Sequence, residues 1–324
     1  MHAWLCENPT GVEALTWKEL PTPVPKSGEV LIQIKAASLN FPDLLIIQNK
    51  YQIKPSLPFV PGAEYAGVIQ AVGEGVKHLQ AGQNVACLSG TGGFGTHTLA
   101  PAALCIPLPD GFSHVDAAAF IMTYATSWHA LMDRAQLKSG ETVLVLGAAG
   151  GVGTSAIQIA KAAGARVIAA ASTDAKCALC ASIGAEATIN YTSKNLRDEI
   201  RRLTDDKGPD VIYDPVGGDY AEPAFRAIAW RGRYLVVGFA SGSIPSLPLN
   251  LPLLKVASIV GVFWGEFAKR EPKANAAMMA ELVDWYVQGR IEPVIDRTMP
   301  MAQLKEAFAH MGSRSVMGKL VMVN

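Results

Sequence analysis

The residues of this chain with the clearest chemical purpose lie between Thr142 and Thr173. There an apolar run, TVLVLG, turns through Ala148-Ala149-Gly150-Gly151-Val152-Gly153 into a helical pattern and then a second apolar run, RVIAAAS. A glycine-rich turn lets backbone approach a pyrophosphate closely, and the helix behind it offers unpaired N–H groups and the positive end of its dipole. Ala149, Gly150, Gly151, Val152 and Gly153 are therefore the candidate pyrophosphate-binding residues. The window departs from G-x-G-x-x-G only at its first position, where Ala148 stands. Its context supports the reading: Ile157, Ala160 and Ala163 keep helical spacing, Gly164 marks a helix stop, and a strand follows.

The end of the second strand discriminates between dinucleotides. A site for NAD places an acid there to accept the ribose hydroxyls, and that carboxylate repels a 2′-phosphate. This chain reads Ala170-Ala171-Ser172-Thr173-Asp174-Ala175-Lys176. Asp174 falls late enough to cap the next helix, leaving Ser172 and Lys176 as a hydrogen-bond donor and a point charge suited to a phosphate. Lys176 alone would read as a solvated helix residue; with the acid missing, NADPH is the expected cofactor. Tyr191, in ATINYT, packs or hydrogen-bonds nearby.

These residues need elements to hold them. At 324 residues the chain exceeds one ordinary core, so two domains are expected. Half the residues are hydrophobic and the formal net charge is zero, without a basic stripe or acidic tail, which argues against nucleic acid or an anionic membrane as partner. No apolar run of spanning length occurs, and the opening MHAWLCENPTG lacks a signal-peptide core, so a cytoplasmic protein is expected. Five cysteines, an odd number, argue against a disulfide framework. Cys177 and Cys180 form C-x-x-C without the second pair that a structural zinc needs.

Residues 1 to 120 carry short β-prone runs (EVLIQIKAAS, EYAGVIQAVG, NVACL) broken by Pro and Gly, the pattern of a β-rich, barrel-like domain. A helical stretch from Ala117 leads into alternating strands and helices over 121–265, with later strands in GPDVIYDPVGG and GRYLVVGFASG, the signature of a doubly wound parallel sheet. Residues 266–324 are too few for a core of their own and read as a return to the first domain.

Several blocks together resemble the zinc-independent quinone oxidoreductases of the medium-chain dehydrogenase/reductase superfamily. They are Asn40-Phe41-Pro42-Asp43, LPFVPGAEYAGVIQAVGEGV from Leu57, TYATSWHAL from Thr123, the AAGGVG turn, DVIYDPVGG, and LLKVASIVGVFWG from Leu253. The resemblance implies an α/β fold, with a Rossmann-type domain joined to a β-rich GroES-like catalytic domain. Zinc-dependent relatives hold a Cys where this chain has Asn40 and a His where it has Ala63, and their four-cysteine structural lobe is missing between Gly90 and Pro107. No metal site is therefore expected. His97, His114 and His129 lack ligand spacing and read as surface or hydrogen-bonded core residues.

By the same resemblance Asn40, Tyr51 and Thr123 line the nicotinamide and substrate pocket, and Phe239 and Arg314 touch the cofactor. Asn40 and Tyr51 are the candidate donors to an acceptor carbonyl, which gains charge as hydride arrives. From the residues alone, Asn40 also suits a turn before Phe41-Pro42, and Tyr51 a partly buried aromatic. Asp43 reads as a loop organiser, and Glu64 as a buried structural carboxylate. The expected activity is NADPH-dependent reduction of quinones or small α,β-unsaturated carbonyl compounds. Reduction of acrylate-type or acyl-CoA activated alkenes is one alternative, and a non-catalytic NADPH-binding protein is another. The edge-strand content of LPLLKVASIVGVFWG, with the family's habit of pairing there, implies a homodimer.

Overall fold

The computed structural model describes residues 1–324. β1 (His2–Cys6) and β2 (Leu15–Glu19) form an antiparallel pair. β3 (Glu29–Ser38) is followed by the short helix α1 (Phe41–Ile46), then by β4 (Glu64–Val72), β5 (Asn84–Leu88), β6 (His97–Pro101), β7 (Cys105–Pro107) and α2 (His114–Ala118). Next come α3 (Ile121–Trp128), whose last turn widens into a π-helical segment at His129–Arg134, β8 (Thr142–Leu146) and α4 (Gly151–Ala162). The alternation continues through β9 (Arg166–Ala171), α5 (Asp174–Ser182), β10 (Ala187–Asn190), α6 (Leu196–Leu203), β11 (Val211–Asp214), α7 (Ala221–Arg226) and β12 (Arg233–Val236). α8 (Asn250–Lys255), β13 (Ser258–Gly261), α9 (Trp264–Arg270) and α10 (Pro272–Val287) precede the final β14 (Ile295–Pro300), α11 (Leu304–Gly312) and β15 (Lys319–Val323). No helix is long and apolar enough to cross a membrane.

The chain divides into one unit of Met1–Met122 with Ile295–Asn324 and another of Thr123–Val294. In the first, the strand order is β14-β15-β3-β4-β5-β7, with β6 also on β3. Ile32, Ile34, Tyr65, Phe94 and Phe308 are fully buried within its core. Register makes the site possible: Ser38 pairs with Glu64 on one side and Val321 on the other, so the end of β3 meets the starts of β4 and β15. In the second unit the order is β10-β9-β8-β11-β12-β13, parallel throughout. Read as 3-2-1-4-5-6, this is the doubly wound order, whose ligand crevice opens at the carboxyl ends of the strands where the order reverses, here between β8 and β11.

Two expectations are corrected. Residues 266–294 belong to the nucleotide unit; only β14, α11 and β15 return. Met278, Met279, Leu282 and Trp285 of α10 are buried, and Gln158 on α4 exchanges hydrogen bonds with the Glu292 backbone. An apolar helical pattern states that it needs a surface, not which one. The α5 cap is Thr173, whose Oγ1 accepts from Lys176 N at 3.2 Å, and Asp174 is the first helical residue.

Candidate active site

In the nucleotide unit, Gly150 caps α4, and Gly151, Val152 and Gly153 form its first turn. A Cβ on Gly153 would stand 2.5 Å from the Gly147 carbonyl oxygen and 2.6 Å from that of Ala148, so only glycine lets the helix pack onto the turn. Gly147 has φ +58° and would meet Val216 if substituted. The absent first-position glycine therefore leaves the tight geometry intact, because Gly147, one residue earlier, supplies the left-handed turn. Ser172 and Lys176 stand half-exposed at the end of β9 and in the first turn of α5. Asp174 turns away from a phosphate role: its Oδ1 accepts from Asn190 Nδ2 at 2.7 Å. Tyr191 follows β10 and packs its ring 4.4 Å from that of Tyr220.

The loops after β11 and β12 are knitted together. Asp214, buried, accepts from the Val216 and Gly217 amides at 2.7 and 2.8 Å and from the Tyr234 hydroxyl. Phe239 sits over Gly217, where an added Cβ would come within 2.9 Å of its ring. Thr123 is buried, and its carbonyl accepts from Ser155 Oγ at 3.0 Å. A hydroxyl chain continues from Ser155 to Ser127 at 2.8 Å and from Ser127 to Tyr213 at 2.9 Å. Ser127 Oγ also lies 3.0 Å from the Val152 carbonyl, so this chain fastens the Thr123 helix to the glycine turn. A cavity of about 620 Å³ elsewhere in this unit, beside Asn195, Arg197 and Arg226, includes none of these residues.

In the β-rich unit, Asn40 caps α1 and is buried with Asp43, Glu64 and Lys319. Asn40 Nδ2 donates to Glu64 Oε2 at 2.9 Å, and Lys319 Nζ donates to Asn40 Oδ1 at 2.5 Å and to the Leu39 carbonyl at 2.8 Å. Glu64 also accepts from Ser38 Oγ at 3.0 Å and from Met122 N at 2.9 Å. Asp43 accepts from the Asn40 and Ala63 amides at 2.8 and 2.9 Å. Burial pushes its carboxyl up to about 7, against those two bonds and the Lys319 charge. Burial likewise raises the Tyr51 phenol, and the Asp43 charge adds to it. Tyr51 packs on the core edge in the loop after α1. Asn40 thus belongs to a charged constellation rather than only ordering a turn. Lys319, the Asp214 loop brace and the Ser127–Ser155–Tyr213 chain carry no motif in the sequence.

Arg314 lies at φ +58° in the loop before β15. His310 anchors that loop, joining Asp296 through Nε2 at 2.9 Å and Ser315 through Nδ1 at 3.2 Å, while Met317 N donates to Asp296. His129 is buried and stacked on Phe267, the core alternative of the two its sequence left open.

The family models that match are a GroES-like alcohol dehydrogenase domain over residues 26–110 and a zinc-binding dehydrogenase over 151–283. The cattle quinone oxidoreductase-like protein 2 is 34% identical over 99% of this chain and 92% of its own length. The rat quinone oxidoreductase is 33% identical over 94% and 92%. Among solved structures, Escherichia coli quinone oxidoreductase in complex with NADPH superposes with a TM-score of 0.92 at 27% identity, with full coverage of both chains. The Thermus thermophilus quinone oxidoreductase, solved with and without NADPH, gives 0.85 at 32%, again over both whole chains. With the doubly wound order, the glycine turn and the Asn40 constellation in place, the chain belongs to the zinc-independent quinone oxidoreductase family of the medium-chain dehydrogenase/reductase superfamily.

Proposed function

We propose that the protein is an NADPH-dependent oxidoreductase that needs no metal and reduces quinones or small α,β-unsaturated carbonyl compounds. The observation that carries the cofactor choice is the end of β9: Ser172 and Lys176 stand half-exposed there, and the carboxylate between them in sequence, Asp174, accepts from Asn190. The glycine turn fits a pyrophosphate, since the α4 amides come forward where no side chain stands. NADPH, when bound, supplies the hydride. Ala149 to Gly153 grip the pyrophosphate, Ser172 and Lys176 take the 2′-phosphate, and Tyr191, Phe239 and Arg314 complete the cofactor's surroundings. Asn40 and Tyr51 donate hydrogen bonds to the acceptor oxygen as it gains charge, and Thr123 is the residue of the nucleotide unit assigned to the substrate. Solvent water provides the proton that completes the reduction. The metal-free reading rests on Asn40 and Ala63 standing at the positions of two zinc ligands, with the Asn40 amide already committed to Glu64 and Lys319.

The experiment is NADPH and NADH oxidation against benzoquinone, phenanthrenequinone, a short enone, acrylate and acryloyl-CoA, with and without chelator. Turnover that prefers NADPH and ignores chelator is expected, with a quinone or enone as best acceptor. A preference for acrylate or acryloyl-CoA moves the substrate to activated acids. NADPH binding without any turnover overturns the enzymatic reading, and loss of activity with chelator overturns the metal-free one.

The same reading includes a cytoplasmic homodimer. β13 is the outermost strand of its sheet, and Leu253, Leu254 and Phe263 around it are 75%, 67% and 62% exposed. Such an edge is an invitation to pair with a second copy. Light scattering after size exclusion, giving only monomer at micromolar concentration, overturns it.

A further inference from the structure

Asn40 is useful to an acceptor only if its amide presents nitrogen, not oxygen, toward it. The two ends of a side-chain amide are nearly the same size, so packing cannot choose between them. Charge can. Oδ1 faces the Lys319 ammonium and Nδ2 faces the Glu64 carboxylate. Turned over, the amide would set two donors against each other on one side and two acceptors on the other.

Lys319 is 5% exposed, donates to the Leu39 carbonyl and to Asn40 Oδ1, and stands as an ion-pair partner 3.8 Å from Glu64 Oε2. Lys319 is thus enclosed among these groups, two of its N–H bonds already spent on them. Asn40 Nδ2 carries two hydrogens, and Glu64 takes one. A cation on Oδ1 also draws electron density from the amide, which strengthens the remaining N–H as a donor. We propose that Lys319 is a positioning residue of the reaction, whose buried ammonium, together with Glu64, locks the Asn40 amide with one Nδ2 hydrogen presented to the acceptor oxygen. This rests on the reading of Asn40 as a donor to that oxygen.

The test compares Lys319→Met, Lys319→Arg, Asn40→Ala and the Lys319→Met/Asn40→Ala double variant, measuring kcat, the KM for the acceptor and NADPH binding by fluorescence titration. Lys319→Met is expected to lower kcat by about a hundredfold, the scale of a misplaced catalytic group, with NADPH affinity unchanged. Lys319→Arg is expected to recover part of the loss. The double variant should be no slower than Asn40→Ala alone, because a residue that acts through another adds nothing once that other is gone. Unchanged kcat in Lys319→Met, or losses that multiply in the double variant, overturns the inference. If Lys319→Met does not fold, Lys319→Met/Glu64→Gln removes both charges together, and wild-type kcat in that protein overturns it equally. Asn40→Ala with wild-type kcat instead sinks the donor reading beneath it, so the two failures are distinguishable.

Discussion

Around Asn40 the buried polar groups are Asp43, Glu64 and Lys319, whereas around Thr123 they are Ser127, Ser155 and Tyr213. Both sets immobilise a candidate pocket residue, one with charges and the other with neutral hydroxyls. A charged cluster fixes orientation strongly, because a flipped amide or missing partner leaves an ion unpaired in a low-dielectric interior. A hydroxyl chain is forgiving: each O–H rotates to suit, and a carbonyl at the end accepts whatever arrives. The β-rich unit thus holds its candidate donor by charge and is exposed to pH and to charge-removing substitutions. The nucleotide unit holds a helix against the glycine turn without a titrating group in the network near neutral pH.

Glu64→Ala should break the charged side of this comparison hardest. It strips an acceptor from Ser38, Asn40 and Met122 N and leaves the Lys319 ammonium buried, at a cost of about 3–5 kcal/mol. Urea unfolding followed by circular dichroism measures it, and a loss under 1 kcal/mol, about the worth of an exposed pair, would contradict the cluster's burial.

The pH dependence comes next. The Asp43 carboxyl is held at about 7 in the fold against 3.8 ordinarily, so the native protein keeps a proton that the unfolded chain has lost between those values. The contribution is fully present below the unfolded value and declines as pH rises, to be gone above about 7. The span of about three pKa units corresponds to about 4 kcal/mol. Unfolding midpoints from pH 4 to 8 should fall through that window in the wild type and flatten in Asp43→Asn; parallel curves for the two proteins would refute the assignment.

Gly153→Ala should cost about 1–3 kcal/mol as overpacking, since its Cβ meets backbone carbonyls rather than a yielding side chain. It should also weaken NADPH binding, which isothermal titration would detect. Tyr213→Phe is the smallest effect, about 1 kcal/mol for one neutral hydrogen bond, and independent of pH between 5 and 8. A pH-dependent loss there would erase the distinction between the two regions.

How much of this could be read from residues in order varies with the distance over which they act. The strand–glycine–helix turn was legible because its parts are consecutive: strand, glycines and helix start lie within a dozen residues, and local backbone geometry decides them. The placement of Ser172 and Lys176 at the end of β9 and the start of α5 was legible for the same reason. The cap of α5 was misplaced by one residue, since Thr173 and Asp174 are both good caps and only the backbone angles choose. The segment 266–294 was assigned to the wrong unit because an amphipathic helix does not encode its partner.

By itself, then, the sequence determined the alternation that makes a doubly wound sheet, the glycine turn that opens α4, and the residue types at the end of β9. Tertiary structure alone decided what surrounds Asn40. Lys319 is separated from it by 279 positions, and Tyr213 from Ser127 by 86. Strand register joins the first pair: β3 runs between β4 and β15, so Ser38 aligns with both Glu64 and Val321 and brings Lys319 to the end of α1's cap. Parallel strand order and helix packing join the second. Local chemistry follows from neighbours in the chain, but a buried charge finds its partners only where the folded sheet brings the ends of strands together.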